Sequence, residues 1–188
     1  MPNEVLVKTG TQIRFSGSGF NPTNSGTNYT IGVPTDVSLS LASVANGTGR
    51  QSAKADLGAT RAMEFAIHAA VDFTGEIPTA GERVDFYWAP STSGTTGNGN
   101  VAGNSGSDAA APDGALGAIT LTEFVRQCQF IGSLIVHDGG SVQNGFVGRL
   151  SPAERYGQLI VVNESGVAFE AANVEAHVVM NPIVGEIQ

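Results

Sequence analysis

Charge is what this chain has least of. Only 14% of its 188 residues are Asp, Glu, Lys or Arg, well under the usual quarter. Lysine occurs twice, at Lys8 and Lys54, and the seven arginines are scattered without forming a stripe. Acidic residues number 17 against 9 basic ones, for a net charge of −8. Phosphate binding needs concentrated positive charge, so the balance argues against nucleic acid and against an anionic membrane surface. Cysteine occurs once, as Cys128, which rules out an intramolecular disulfide and hence a disulfide-stapled module. The three histidines, His68, His137 and His177, stand apart, and no HxH, HExxH or CxxC spacing offers a zinc site. A GxSxG elbow and a GxxxxGK[ST] phosphate loop are absent as well. No apolar run approaches the ~18 residues of a membrane-spanning helix. The opening MPNEVLVKTG lacks a basic region followed by an apolar run, so no secretory signal peptide is expected.

What is present is a period of two, the signature of strands. Phe65, Ile67, Ala69, Val71 and Phe73 alternate with the residues between them; Val84, Phe86 and Trp88 do the same, and so do Val174, Ala176, Val178 and Met180. Leu159 to Val162 is a continuous apolar run, as in a strand buried on both faces. The pattern predicts strands near 4–8, 12–17, 36–44, 50–57, 62–73, 83–90, 118–124, 127–138, 145–150, 157–163, 167–171 and 174–181. Turn signals such as Asn46-Gly47, Asn144-Gly145 and Ser165-Gly166 separate them. Helix is expected only as single turns, over Ser151–Arg155 and over Thr122–Gln127. The fold class is therefore all-β: an antiparallel β-sandwich, expected to be a jelly roll. Phe65, Ile67, Val71, Phe86, Leu134, Val136, Ile160, Val162 and Val178 are its expected inward-facing core.

The organisation is one domain over residues 16–188, broken by a long loop at 93–117. That loop reads SGTTGNGNVAGNSGSDAAAPDGALG, with seven glycines and neither an aromatic nor a basic residue. A segment so poor in apolar surface is expected to leave the core as a mobile excursion. Residues 1–15 read either as an arm that packs on a neighbouring subunit or as an edge strand of the same domain.

Chemistry is sparse. Paired carboxylates are the remaining route to hydrolysis, but no two of them can be placed across a cleft from sequence alone. Asn98, Asn100, Asn104, Asp108 and Asp113 give the loop many oxygens, a composition that suits calcium and equally suits plain turns. Tyr87 and Trp88 are adjacent, so one faces the core and the other faces out, a weak basis for a sugar-binding platform. Cys128 lies in a strand-like stretch and reads as a small buried apolar side chain.

The back half carries one further pattern. DFYWAPST (Asp85–Thr92) precedes the glycine-rich loop with its GSDAA (Gly106–Ala110), followed by QCQFIGSLIVHD (Gln127–Asp138) and SPAERYGQLIVVNESGVAF (Ser151–Phe169). This resembles tailed-bacteriophage virion proteins of jelly-roll type, in particular capsid decoration (cement) proteins. The resemblance implies a non-enzymatic structural protein without cofactor or metal, acting as a homo-oligomer (a trimer is the first expectation) on the major capsid protein. It implies a place on the capsid surface after synthesis in the host cytoplasm. Assembly contacts are expected at Val5, Val7, Ile13 and Phe15 in the N-terminal segment and at Asn98, Asn104, Asp108 and Asp113 in the loop. A phage tail-tube protein and a carbohydrate- or receptor-binding β-sandwich are the alternatives.

Overall fold

A computed structural model describes residues 5–9, 11–23, 27–59, 61–113, 118–172 and 174–187. Its elements run β1 (Val5–Thr9), β2 (Ile13–Ser16), β3 (Thr35–Ser38), β4 (Thr48–Gln51), β5 (Ala55–Asp56), β6 (Glu64–Asp72), β7 (Arg83–Ser91) and β8 (Ala109–Ala111). After the short helix α1 (Leu121–Val125) come β9 (Gln129–Ile135), β10 (Val142–Leu150), β11 (Tyr156–Glu164) and β12 (His177–Ile187). The domain is an all-β sandwich. One sheet has the order β10-β6-β12-β2-β3, with β1 also on β12; the other has the order β8-β4-β11-β7-β9, with β5 also on β11. Every pairing is antiparallel except β2 with β3.

Eight of these strands pair in a nested order. The first, β2, pairs with the last, β12; then β4 pairs with β11, β6 with β10, and β7 with β9. The chain thus runs out through four strands and returns along them, like one long hairpin rolled over itself. Alternation within the strands then places one face of each sheet in a shared interior. Phe15, Phe65, Ile67, Val71, Phe86, Trp88, Leu159, Val161, Val178 and Met180 meet there. Phe73 and Phe169 pack edge to face, with ring centroids 5.5 Å apart.

The sandwich is closed along one side where β9 crosses β10. Both strands are bulged there, β10 between Phe146 and Gly148 and β9 opposite Phe86 and Tyr87. Gly132 and Gly148 make the crossing possible. A Cβ on Gly132 would stand 2.1 Å from the Val147 carbonyl oxygen, and one on Gly148 would stand 2.4 Å from that of Ile131.

Several sequence expectations need correction. The strand expected at 118–124 is instead the approach to α1 and most of that helix, which overlaps the single turn expected over Thr122–Gln127. Thr120 caps this helix, accepting from the Glu123 N–H while the Glu123 carboxylate accepts from the Thr120 N–H. The strand expected at 36–44 stops at Ser38, although Leu39, Leu41 and Val44 are buried beyond it. The strand expected at 167–171 is irregular, and so is Ser151–Arg155, where a helical turn was expected. Ile160 and Val162 are buried, but not in the shared interior. They lie on the opposite face of β11 with Ala89, covered by Phe124 and by the partly buried Val101, Ile119 and Leu121. The run from Leu159 to Val162 is therefore buried on both faces.

Candidate functional site

The long loop is the most heavily built surface feature. Rather than leaving the domain, it returns to it. Ala109–Ala111 pair with β4 as an edge strand, and Val101 packs over the outer face of β11. One of the two lysines fixes its first turn. The Lys54 ammonium donates to the Ser91 hydroxyl at 2.9 Å and to the carbonyl oxygens of Ser93, Thr95 and Asn98, each at 2.8 Å. Partial burial lowers the pKa of this amine from the usual lysine value. These oxygens converge as a cation's ligands do, but the cation is a side chain. Among the described residues no group of three or more His, Cys, Asp or Glu is arranged to hold a metal ion.

Asp108 fastens the other end of the loop. One carboxylate oxygen accepts from Arg50 Nε at 2.7 Å. The other accepts from the Ser38 hydroxyl at 3.1 Å and from the Ser40 N–H at 2.9 Å. This single side chain ties the β3 edge of one sheet to β4 and β8 of the other. Asn104 is buried, donating to Gln158 Oε1 while its own side-chain oxygen accepts from the Gly106 N–H.

These positions revise the expected contact set. Ile13 and Phe15 lie in the domain's own core, 6% and 0% exposed, so their side chains cannot meet a partner. Asn104 and Asp108 are committed within the chain. Asn98 is exposed and offers its side chain outward, and Asp113 is half-buried, its N–H bonded to the Gly103 carbonyl. The backbone of Val5 and Val7 pairs with Ile187 and Gly185 of the same chain; their side chains lie outside the described ones, as do residues 114–117 of the loop.

Sequence reasoning missed a second layer, over the outer face of the β6-β12-β2 sheet. The segment after β2 folds back across it and is pinned at His177. That imidazole is fully buried; its Nε2 accepts from the Tyr29 N–H at 3.1 Å, and Nδ1 lies 2.7 Å from the Glu175 carbonyl. Donating at Nδ1 and accepting at Nε2 is the pattern of a neutral ring. Burial lowers its pKa, and nearby Arg14 lowers it further, partly opposed by the Glu175 carbonyl. Phe20 stacks beside it at 4.7 Å and carries the Arg14 guanidinium on its ring at 4.6 Å. Arg14 in turn grips Asp36 with two parallel bonds of 2.8 and 3.0 Å. An open trench of about 290 Å³ runs over this pair, between Ser16, Ser18, Phe20 and Ser38, and a second cavity of the same size adjoins it toward Ser40 and Asp108.

Large apolar side chains remain exposed on this sandwich, among them Ile31, Val33, Met63, Phe130, Ile135 and Phe146. Cys128 is partly buried beside α1, its thiol donating to the Phe124 carbonyl at 3.5 Å and pushed up to about 12 by desolvation. No described helix is long and apolar enough to cross a membrane. Comparison with protein-family models, curated proteins and solved structures finds no match to this chain.

Proposed function

We propose that this chain is a non-enzymatic structural protein of a tailed-phage virion, a capsid decoration protein that sits as a homo-oligomer on the major capsid protein. The observation that carries the proposal is the nested pairing of β2/β12, β4/β11, β6/β10 and β7/β9 across two sheets. We read that connectivity as a jelly roll, an architecture used by viral capsid domains. Fold alone does not fix function, and the surface adds its own support. It is poor in charge, acidic on balance, and keeps several large apolar side chains exposed. Uncharged polar and apolar groups desolvate at lower cost than charges when protein meets protein. The acidity keeps such a component off packaged DNA.

The test mixes purified protein with expanded capsids that lack it and follows co-sedimentation across salt concentrations. Saturable binding at the lattice's threefold or quasi-threefold sites, little weakened by salt, is the expected result. Failure to bind expanded capsids overturns the proposal.

The trench over β2 and β3 favours a second reading, attachment to a glycan. The Arg14–Asp36 fork is held rigid by Phe20 beneath it and leaves unused carboxylate lone pairs at the surface. A glycan array probed with the protein and with its Asp36→Asn variant decides this: a hit lost in the variant supports it, and no hit excludes it.

A further inference from the structure

We infer that Asn98-Gly99 is a self-modifying site, at which the folded chain converts Asn98 to aspartate and isoaspartate with Lys54 as the promoting group. The inference goes beyond the decoration reading and does not depend on it.

The chemistry is that of an asparagine followed by a glycine. The backbone nitrogen of the glycine attacks the asparagine Cγ. A new N–Cγ bond forms, and the side-chain amide nitrogen leaves as ammonia. Water then opens the resulting succinimide ring at either carbonyl. One opening gives aspartate; the other gives isoaspartate, with the backbone rerouted through the side chain. The reaction is a hydrolysis and needs no oxidant or reductant. Glycine is the favourable follower because it has no Cβ to obstruct the approach. The attacking nitrogen must give up its proton, and a peptide N–H is a very weak acid, so that proton is the main obstacle.

Three Asn-Gly steps occur in the sequence, at Asn46, Asn98 and Asn144, and the fold treats them differently. At Asn46 both reacting groups are engaged. The side-chain oxygen accepts from the Gly166 N–H at 2.8 Å, and the Gly47 N–H donates to the Asn163 carbonyl at 2.7 Å. At Asn144 the side-chain oxygen accepts from the Tyr29 hydroxyl at 2.9 Å, and Asn144 and Gly145 lie in the ladder of β10 on β6, opposite Ala70 and Ala69. Asn98 is the exception. Asn98 and Gly99 are both exposed. Neither the Asn98 side-chain amide nor the Gly99 N–H has a hydrogen-bond partner among the described residues.

The backbone of the same step is held where it helps the reaction. The Asn98 carbonyl oxygen accepts from the Lys54 ammonium at 2.8 Å, and the Ser91 hydroxyl lies 3.3 Å from it. That oxygen and the Gly99 nitrogen belong to one peptide group. When the nitrogen loses its proton, the negative charge is shared with the oxygen by resonance. A cation fixed on the oxygen stabilises this charge as it develops, in the manner of an oxyanion hole. Lys54 is anchored by the Ser91 hydroxyl and by the carbonyl oxygens of Ser93 and Thr95, so its charge is in place before the reaction begins. The fold therefore leaves the amide free to swing toward the nitrogen and at the same time makes that nitrogen more acidic. The product adds a negative charge to the loop. In the isoaspartate form it also lengthens the backbone by a methylene, in the turn that Lys54 holds.

The experiment incubates the full chain in neutral buffer, native and unfolded in guanidinium, and follows all three Asn-Gly steps by peptide-mapping mass spectrometry. An isoaspartate-specific methyltransferase scores the rearranged product. The unfolded chain gives the reference rate for each step. In the native chain Asn98 is expected to react faster than its reference, and Asn46 and Asn144 more slowly than theirs. A native Asn98 no faster than in the unfolded chain overturns the inference, and so does native reaction at Asn46 or Asn144 that keeps pace with Asn98. Lys54→Met is expected to slow native Asn98 to its unfolded rate. The drop should be on the order of tenfold, below the ~100-fold or more of a donor in a water-excluded site, because this turn is exposed. Lys54→Arg keeps a cation and is expected to retain part of the acceleration. An unchanged rate in K54M, or a rate in K54R no higher than in K54M, overturns the role of the lysine. Should K54M fail to fold, the native-to-unfolded ratio at Asn98 in the parent still decides, since it needs no variant.

Discussion

The β9/β10 crossing can be broken by a single methyl group. In Gly132→Ala the new Cβ would stand 2.1 Å from the Val147 carbonyl oxygen and 3.0 Å from its carbon; in Gly148→Ala it would stand 2.4 Å from the Ile131 oxygen. The obstructing atoms are backbone, so no rotamer change relieves the clash. The two strands must draw apart by the better part of an ångström or more, loosening Ile131, Leu134 and Val147 at the sealed side of the core. Overpacking of this kind costs about 1–3 kcal/mol. At roughly 2–4 °C per kcal/mol for a chain of this size, the melting temperature should fall by about 2–12 °C in either variant. Gly19→Ala is the control, since nothing lies within 4 Å of its added Cβ. The two glycines share one crossing, so the double variant should lose less than the sum of the singles, because strands already parted accept the second methyl more easily. Scanning calorimetry on the parent and the four variants measures all of this. Melting temperatures within a degree of the parent for both single variants would refute the crossing geometry, and strict additivity would refute the shared corner.

Lys54→Met removes the donor to four oxygens, and it should destabilise the domain by about 1–3 kcal/mol. It should also open the Ser93–Asn98 turn to proteolysis; a loop as protease-resistant as the parent's would show that the lysine does not organise it. His177 is held neutral, with its pKa below the free imidazole value of 6.5. The unfolded chain therefore takes up a proton first as acid is added, so the His177 contribution is intact above about pH 6.5 and declines as pH falls from there toward the folded value. Urea midpoints at pH 7.5 and 5.5 should differ for the parent and differ less for His177→Asn; equal pH dependence in both excludes His177 as the source. Cys128, with its thiol pushed up to about 12, should resist a thiol reagent at pH 8 in the native protein and react on denaturation; prompt native-state labelling would contradict its burial.

The long strands were legible because period-two alternation survives wherever one face is buried, as from Phe65 to Phe73 and from Val84 to Trp88. The same rule misled at Leu39, Leu41 and Val44, which are buried without belonging to a strand. Burial, not pairing, sets the pattern. The helix at Leu121 overlaps the single turn expected over Thr122–Gln127, but its start is marked by Thr120-x-x-Glu123, a capping signal hidden under the strand expected at 118–124. Ile13 and Phe15 were assigned to a partner because a short terminal strand gives no sign of which core it enters. The loop was the deepest miss. Its lack of apolar residues was read as freedom, but polar bonds hold it, and the partners that hold it, Lys54, Arg50 and Gln158, lie far from it in sequence. A lone lysine in a chain that has only two was the available hint.

The nested pairing bears on how this protein is made. β2 leaves the ribosome before the other seven nested strands, but its partner β12 leaves after them, so the sheet they share cannot be completed until β12 has emerged. The innermost pair, β7 with β9, is available first, followed by β10 on β6 and then β11 on both β7 and β4. Until β12 emerges, β2 and β6 wait on either side of an empty slot, presenting open edges. Long-range closure of this kind is slow and prone to aggregation. Loss of residues 177–187 by a premature stop would remove the strand that joins β2 to β6, and the truncated chain should accumulate in the insoluble fraction rather than as a slightly shortened domain.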